Sequence, residues 1–150
     1  MPFEFKNIGY ITSNEITEFI LKNEKSYNFG DINDNELAGF NEKSKVYECY
    51  INKRLVGFII LRYIYLNEYV YEIYIGKLVN ERRIKFKNIL EQFLQNEYKE
   101  DLKIFAAVKK ENPDRERVYN ILDTHGFIHD VPWLAKGEFV YIPTNNCEPT

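Results

Sequence analysis

Three strand-like segments at the centre of the chain constrain the fold most strongly. KVYECYI and LVGFIILRYIY flank the polar turn Asn52-Lys53-Arg54, and YVYEIYIGKLV follows after Asn67-Glu68. Runs rich in Val, Ile and Tyr that are joined by short polar turns are typical of strands that pair with their neighbours in the chain. The pattern therefore predicts a three-stranded antiparallel meander, and the remaining segments must be arranged around it.

Strand and helix signals on both sides of the meander predict a mixed α/β plan. The segment 3–11 has strand character, and Thr12 with Glu15 has the form of a capping box that opens a first helix. After the meander, apolar residues at helical spacing predict a helix from about Arg82 to about Tyr98, followed by the buried strand KIFAAVKK. A last helix is expected between Asn112-Pro113 and a C-cap glycine at Gly126, and WLAKGEFVYI predicts one or two final strands.

The expected architecture is one α/β domain over residues 1–143, with a frayed tail at 144–150. A short helix is also expected between Tyr27 and Glu42, where Gly, Asp and Asn alternate with apolar residues. The total would be a mixed, mostly antiparallel sheet of six to seven strands with about four helices. Crossovers through the two late helices would make their neighbouring strands parallel.

Composition excludes several classes of function. A net charge of -3 and a pI near 5.5 over 150 residues argue against a surface that binds nucleic acid or anionic membrane as a whole. The two cysteines and the pair His125 and His129 do not form a zinc ligand set, so no metal is expected. The N-terminus has no apolar signal core and LVGFII is too short to cross a bilayer, which predicts a soluble cytoplasmic protein.

A basic cluster stands where the chain is expected to enter the helix after the meander. NERRIKFKN places Arg82, Arg83, Lys85 and Lys87 close to a helix N-terminus, where cations are unfavourable and anions are preferred. Two interpretations are open. The cluster is a solvated surface, or it faces a bound anion.

The order of elements resembles that of the GNAT superfamily of acyl-CoA N-acyltransferases. In that family a loop of the form Arg-x-x-Gly-x-Gly/Ala wraps the coenzyme A pyrophosphate, and KLVNERRIKFKNIL stands in its place here. Aligning Arg82 with the family arginine puts Phe86 at the usual apolar position, and Lys85 and Lys87 at the two small-residue positions. The resemblance implies acetyl-CoA as co-substrate, splayed parallel strands at the coenzyme site, and a thioester held by the backbone of Leu78 and Val79.

A second segment, NPDRERVYNILDTHGF, is similar to the family pattern that ends the coenzyme site. Gly126-Phe127 after an amphipathic helix carries this likeness, which implies that Asn112 faces the pantetheine arm. Leu122 stands where many members hold a tyrosine general acid. The nearest hydroxyl is that of Tyr119, which is the candidate acid for the departing thiolate.

A carboxylate is also needed to take a proton from the attacking amine. Glu72, in YVYEIYI, resembles in position the carboxylate that some family members carry on the fourth strand, and is the candidate general base. Simple alternation in a half-exposed strand, with Glu72 facing solvent, is the alternative. Glu48 is a similar carboxylate with less family support. Trp133 is either a wall of the acceptor pocket or a core aromatic, and the candidate groups for attracting a cationic amine are Asp31, Asp34 and Glu36.

The resemblance thus implies an N-acyltransferase that passes an acetyl group from acetyl-CoA to a primary amine by direct attack. The alternative is a binding protein on the same fold whose use of the coenzyme has been lost or altered, because Lys85, Lys87 and Leu122 depart from the family pattern. A weaker hypothesis has the cluster at Arg82 contacting nucleic acid. Tyrosines 63, 65, 69 and 71 make a homodimer plausible.

Overall fold

The computed structural model describes residues 2–23, 42–66, 69–108, 110 and 112–143, with only the backbone described at 65, 66, 69 and 70. The helix predicted at 27–42, except for its last residue, and the tail at 144–150 lie outside these ranges. Within them, seven strands form one sheet in the order β1-β2-β3-β4-β5-β7-β6. The strands are Glu4–Asn7 (β1), Lys45–Ile51 (β2), Arg54–Leu66 (β3), Tyr69–Lys77 (β4), Lys103–Ala107 (β5), Phe127–Ile128 (β6) and Glu138–Tyr141 (β7).

Three α-helices pack on this sheet in the described part of the chain. They are Asn14–Asn23 (α1), Phe86–Gln92 (α2) and Arg115–Thr124 (α3), and α2 continues as a π-helical segment, Phe93–Glu97. Every pair of neighbouring strands is antiparallel except β4 and β5, which are parallel. The predicted mixed α/β fold class is confirmed.

The meander forms as predicted, and its first turn shows why the register is unambiguous. Asn52 and Lys53 have φ of 49° and 66°. Positive φ at both central residues is the geometry of a type I′ turn, whose twist matches that of the flanking strands, and Asn tolerates it well. Strand β2 then pairs with β3 from Ile51↔Arg54 to Lys45↔Leu61, with one irregularity after Cys49.

The sheet has a core on each face. On one face α1 buries Ile16 and Ile20 against residues of the meander, and Phe19 meets the ring of Phe58 edge-on at 5.6 Å. On the other face α2 and α3 cover a larger cluster that includes Ile59 and Phe93. We refer to these as the α1 face and the α2/α3 face.

The start of the chain departs from the predicted boundaries. Strand β1 ends at Asn7 because the Asn7 side chain accepts the N–H of Gly9 at 2.9 Å and Gly9 takes a φ of 96°, which turns the chain. The predicted capping box was wrong. Helix α1 begins at Asn14, and the Thr12 hydroxyl bonds to the hydroxyl of Thr17 at 2.5 Å.

Helix α2 begins at Phe86 and not at Arg82. Lys85 is extended, with φ -114° and ψ 138°, and provides no side-chain cap. The residue before it, Ile84, is buried, and its N–H bonds to the Glu81 carbonyl at 3.1 Å, so a turn precedes the helix. Of the four cations in the basic cluster, Lys87 alone therefore lies within α2.

The helix after β5 ends as predicted. Gly126 has a φ of 90°, the left-handed conformation that a glycine adopts most readily, and it follows directly on the C-cap residue His125. The side chain of Asn112 accepts the N–H of Asp114 at 2.8 Å in the turn before α3. None of the helices in the described ranges is long and apolar enough to span a membrane.

Candidate functional site: a cleft between two parallel strands

Strands β4 and β5 pair only at their beginnings. The recorded pairs are Tyr69↔Lys103, Tyr71↔Ile104 and Glu72↔Phe105. Strand β4 nevertheless continues to Lys77, and β5 stays paired with β7 as far as Ala107↔Glu138. The two parallel strands therefore diverge beyond Glu72, and the sheet opens at this edge.

A cleft of about 710 Å³ occupies the opening, and we call it the main cleft. Its walls are the diverging ends of β4 and β5 and one side of α3, and Phe19 and Lys22 of α1 also line it. Leu78 packs with the core of the α1 face, whereas Val79 packs with the core of the α2/α3 face. The main cleft is therefore bordered by residues from both faces of the sheet.

The residues predicted to meet the thioester and the pantetheine arm all line the main cleft. Leu78 and Val79 follow directly on β4, and the Leu78 N–H is held by the Val56 carbonyl at 2.8 Å. Asn112 is 7% exposed, so its side chain is fixed in the wall opposite. The structure thus brings these three predicted residues together.

A second cleft of about 690 Å³ adjoins the first, and we call it the distal cleft. The two clefts share Lys77, Phe86, Arg117 and Ile121. The distal cleft lies between the turn before α2 and the side of α3, and Arg82, Lys85 and Lys87 line it. Its described lining holds five Lys and Arg side chains and no carboxylate, which makes it an electropositive pocket.

Arg83 lines neither cleft, although its sequence neighbour Arg82 does. The Arg83 Nε donates to Glu81 Oε1 at 3.2 Å, and the other carboxylate oxygen of Glu81 pairs with Arg54. The hydrogen bond from Arg54 is the main cause that lowers the pKa of Glu81, with Arg83 contributing less. Arg83 is thus engaged in a local ion-pair network outside the clefts.

Glu72 lies at the closed end of the opening and does not line the main cleft. It is the last β4 residue in register with β5, and it is 9% exposed. Its Oε1 accepts a hydrogen bond from the Tyr74 hydroxyl at 2.8 Å and one from Arg62 Nη2 at 3.1 Å. The interpretation in which alternation turns Glu72 towards solvent is not what the structure shows.

Glu48 is the other buried carboxylate on the strands of the meander. It is 8% exposed and accepts the Tyr50 hydroxyl at 2.6 Å. This hydrogen bond is the main cause that raises the pKa of Tyr50 to about 12. Glu48 does not line either cleft.

Tyr119 lies on α3 but outside the lining of both clefts. Its ring packs against Phe139 at a centroid distance of 5.3 Å. Val118, Ile121 and Leu122 occupy the side of α3 that lines the main cleft, and the described lining there contains no hydroxyl group. Leu122, at the position of the family tyrosine, is 3% exposed and closes the apolar wall.

Sequence reasoning missed three cations that line the clefts: Lys22, Lys77 and Arg117. Arg117 could have been found, because it precedes Ile121 by four residues and residues four apart share one side of a helix. Lys22 and Lys77 have no comparable local signal. Trp133 is 56% exposed and lines neither cleft, so neither interpretation of it is supported. No group of three or more His, Cys, Asp and Glu among the described residues could hold a metal ion.

Comparison with solved structures identifies the class of fold to which this geometry belongs. The chain has the GNAT fold, as the sequence resemblance predicted. No protein-family model matches the sequence, and no curated protein matches it significantly.

Three N-acetyltransferase structures illustrate the likeness. A spermidine N-acetyltransferase SpeG chimera from Vibrio cholerae and hSSAT has a TM-score of 0.60 at 15% identity, over 95% of this chain and 96% of that chain. A spermidine N-acetyltransferase from Vibrio cholerae in complex with CoA and spermine has a TM-score of 0.56 at 13% identity, over 92% of this chain and 95% of that chain. The Campylobacter jejuni N-acetyltransferase PseH has a TM-score of 0.54 at 18% identity, over 92% and 94%.

Proposed function

We propose that this chain is an N-acyltransferase that transfers an acetyl group from acetyl-CoA to a primary amine. The observation that carries the proposal is the opening between β4 and β5, because the main cleft within it is bordered by both faces of the sheet and continues into the electropositive distal cleft. A long ligand with an anionic end and a reactive end fits this arrangement. A second reactant can approach the reactive end from the α1 face.

The coenzyme would lie with its phosphates in the distal cleft and its thioester in the main cleft. Arg82, Lys85 and Lys87 would neutralise the phosphates as side-chain charges, in place of the backbone contacts that glycines allow. Asn112 would face the pantetheine arm. The backbone of Val79 and the carbonyl of Leu78 would pair with that arm and with the thioester, since the Leu78 N–H is already bound to the Val56 carbonyl. Arg83 would contribute only to the surrounding field.

The reaction would proceed by direct attack. The amine nitrogen forms a bond to the thioester carbonyl carbon, the carbon–sulfur bond breaks, and coenzyme A leaves as a thiolate. Catalysis would rest mainly on positioning and on stabilising the charge that develops on the carbonyl oxygen. Cleft walls that are mostly apolar strengthen such interactions because they exclude water.

Two proton transfers complete the reaction. Glu72 is the proposed base for the amine. The Tyr74 hydroxyl donates to its carboxylate at 2.8 Å and belongs to the core of the α1 face, so it would pass on the proton of an amine that approaches from this face. Tyr119 was predicted as the acid for the thiolate. Because its ring packs against Phe139 outside the cleft lining, we favour solvent as the source of that proton.

An altered binding protein remains the alternative function. Leu122 occupies the acid position, and the described lining of the main cleft contains no hydroxyl. A protein of this fold that has lost catalysis would be expected to lack that group. The homodimer and the cytoplasmic location expected from the sequence stay predictions.

Thermal unfolding with and without acetyl-CoA tests the proposal. A ligand at about 100 times its dissociation constant stabilises a folded protein by about 2.7 kcal/mol. We therefore expect a clear rise in melting temperature, with a smaller rise from ATP at the same concentration, and release of free CoA when a panel of primary amines is added. A rise in melting temperature without CoA release would favour the binding protein. No rise at millimolar acetyl-CoA, in protein shown to be folded, would refute the N-acyltransferase and leave a binding protein that does not use the coenzyme.

A further inference from the structure

A primary amine of the chain itself borders the main cleft away from its electropositive end. Among the described residues, the lysines that line the main cleft are Lys22 and Lys77. Lys77 also lines the distal cleft, so it lies at the end where the phosphates are proposed to bind. Lys22, in the last turn of α1, lines the main cleft only. Its amine therefore belongs to the part of the cleft that would receive the thioester.

The packing of α1 places Lys22 on the same side of the main cleft as Leu78. Phe19 and Leu78 both line this cleft and both pack with the core of the α1 face. Lys22 follows Phe19 by three residues, so their Cβ atoms lie about 5–6 Å apart on one side of the helix. Helical side chains lean towards the N-terminus of their helix, which directs Lys22 over the turn that contains Phe19. The flexible four-carbon stem of Lys22 can therefore carry its amine towards the backbone of Leu78 and Val79.

The Lys22 amine is exposed and is not held by an acidic group in the described part of the chain. It forms no ion pair with another described residue. The described lining of the main cleft contains one carboxylate, that of Asp114, which pairs with Arg117 at 3.2 Å. An amine that no carboxylate holds can turn between solvent, where it loses its proton, and the cleft, where it can attack.

We infer that Lys22 is an acyl acceptor within the chain, and that the protein acetylates itself at this position. The inference rests on the proposed function, because the acetyl group comes from acetyl-CoA in the main cleft. The Lys22 ammonium first gives a proton to water. The neutral amine then forms a bond to the thioester carbonyl carbon, and the carbon–sulfur bond breaks. The nitrogen loses its second proton to water, and coenzyme A leaves as a thiolate that takes a proton from solvent.

Acetylation of Lys22 would alter the side of the cleft from which a second reactant approaches. It replaces a cation by a neutral amide, which is no longer a nucleophile. The reaction would therefore occur once per chain. Because amine and thioester are held in one complex, it should be faster than the acetylation of an exposed lysine by acetyl-CoA from solution.

Incubation with saturating acetyl-CoA and no added amine, followed by peptide mass spectrometry, tests this inference. We expect an acetyl group at Lys22 and release of about one CoA per chain, as the step above requires. The exposed Lys6, on the edge strand β1, lines neither cleft and measures the background reaction. Lys22 should be acetylated about tenfold faster than Lys6, at a rate per chain that does not change when the protein is diluted.

Two variants and a competitor separate the cleft reaction from the background reaction. Lys22→Arg keeps the positive charge but removes the nucleophilic amine, and it should abolish the release of CoA without lowering the melting temperature. Lys6→Arg is the matched control and should leave this release unchanged. Excess CoA should slow the acetylation of Lys22 but not that of Lys6, because only Lys22 uses acetyl-CoA bound in the cleft.

The outcomes distinguish this inference from the proposed function. Equal rates at Lys22 and Lys6, in protein that binds acetyl-CoA by calorimetry, would overturn the inference and leave the proposed function intact. Acetylation mainly at Lys77 would also overturn it. A rate at Lys22 that rises with protein concentration would overturn it as well, because the transfer would then occur between molecules. If acetyl-CoA does not bind to folded protein, the proposed function fails and the inference fails with it.

Discussion

The two edges of strand β4 are occupied in opposite ways. Towards β3, the strand is paired from Tyr63↔Tyr71 to Gly57↔Lys77, which covers its second half completely. Towards β5, the pairing stops at Glu72↔Phe105. The same residues, from Ile73 to Lys77, therefore border a closed sheet on one side and a cleft on the other.

The two sides of β4 therefore have different roles: the β3 side stabilises the sheet, and the β5 side is available to bind a ligand. On the β3 side each backbone N–H and C=O meets its partner, so nothing is left for a ligand. On the β5 side the backbone groups of the same segment face the main cleft, where they could pair with an extended molecule as a neighbouring strand would. A fold can thus create a binding site by leaving one ladder unfinished, without adding a special loop.

A matched pair of isoleucines should show this separation most strongly. Ile59 on β3 and Ile75 on β4 lie directly opposite each other, but Ile59 is fully buried and Ile75 lines the main cleft. Ile59→Ala should lower the free energy of unfolding by about 2–5 kcal/mol, because it leaves a cavity in a closed core. Ile75→Ala should cost about 1 kcal/mol, since the cleft side is already open.

Urea denaturation of both variants measures this difference, and acetyl-CoA titration extends it. Ile75→Ala should weaken acetyl-CoA binding, whereas Ile59→Ala should leave it unchanged under conditions where the protein is folded. Equal losses of unfolding free energy in the two variants would mean that the opening is not maintained in solution.

The ion pair on the closed side of β4 should have a larger coupling energy than the ion pair at the main cleft. Arg62 and Glu72 pair across β3 and β4, with side-chain exposures of 27% and 11%, whereas Asp114 and Arg117 at the cleft are 43% and 73% exposed. A double-mutant cycle on Arg62 and Glu72 should give a coupling energy of about 0.5–3 kcal/mol. The cycle on Asp114 and Arg117 should give about 0.2–1 kcal/mol, and that value should fall in high salt. A larger coupling at the cleft would contradict the view of β3–β4 as the rigid side.

The sequence predicts the closed side of β4 better than the open side. The meander could be predicted because its determinants are local: alternating side chains, short polar turns, and an Asn at a position that needs positive φ. The closed side of β4 was therefore evident from the pattern. The opening on the other side depends on where β5 and β7 dock, which no local pattern records, and it could be expected only from the resemblance to a family.

The boundaries and faces of the late helices were less predictable for a related reason. The burial of Ile84 sets the turn before α2, and this moves the helix start from Arg82 to Phe86. Tyr119 stands one residue off the apolar stripe of α3, and the helical pattern alone leaves open whether it lines a cleft or covers the flank of the helix. The Tyr119 ring packs against Phe139 and lies outside the lining of the main cleft, and this contact is made by a strand late in the chain.

Two neighbouring arginines test which side chains contribute to acetyl-CoA binding. Arg82 lines the distal cleft, whereas Arg83 is held by Glu81 outside it. Arg82→Ala should raise the Kd for acetyl-CoA about tenfold, equivalent to about 1.4 kcal/mol, because it removes a phosphate partner. Arg83→Ala removes the same formal charge and should change the Kd less than about twofold. Calorimetry measures the Kd of both variants. Equal losses of affinity would mean that acetyl-CoA binding depends on the total positive charge of this region and not on the position of each arginine.

The smallest effect on activity is expected for a substitution at Tyr119. For this residue the family resemblance predicts a general acid, whereas the geometry does not. A general acid typically contributes 10²–10⁴-fold to a rate, so the role predicted from the sequence would make Tyr119→Phe severely impaired. Because the ring lies against Phe139 outside the described lining of both clefts, removing the hydroxyl should lower CoA release by less than about twofold. The stability should change by less than about 0.5 kcal/mol, since the ring and its packing remain. A fall of about a hundredfold with an unchanged Kd for acetyl-CoA would instead mean that α3 turns Tyr119 into the main cleft when the coenzyme is bound.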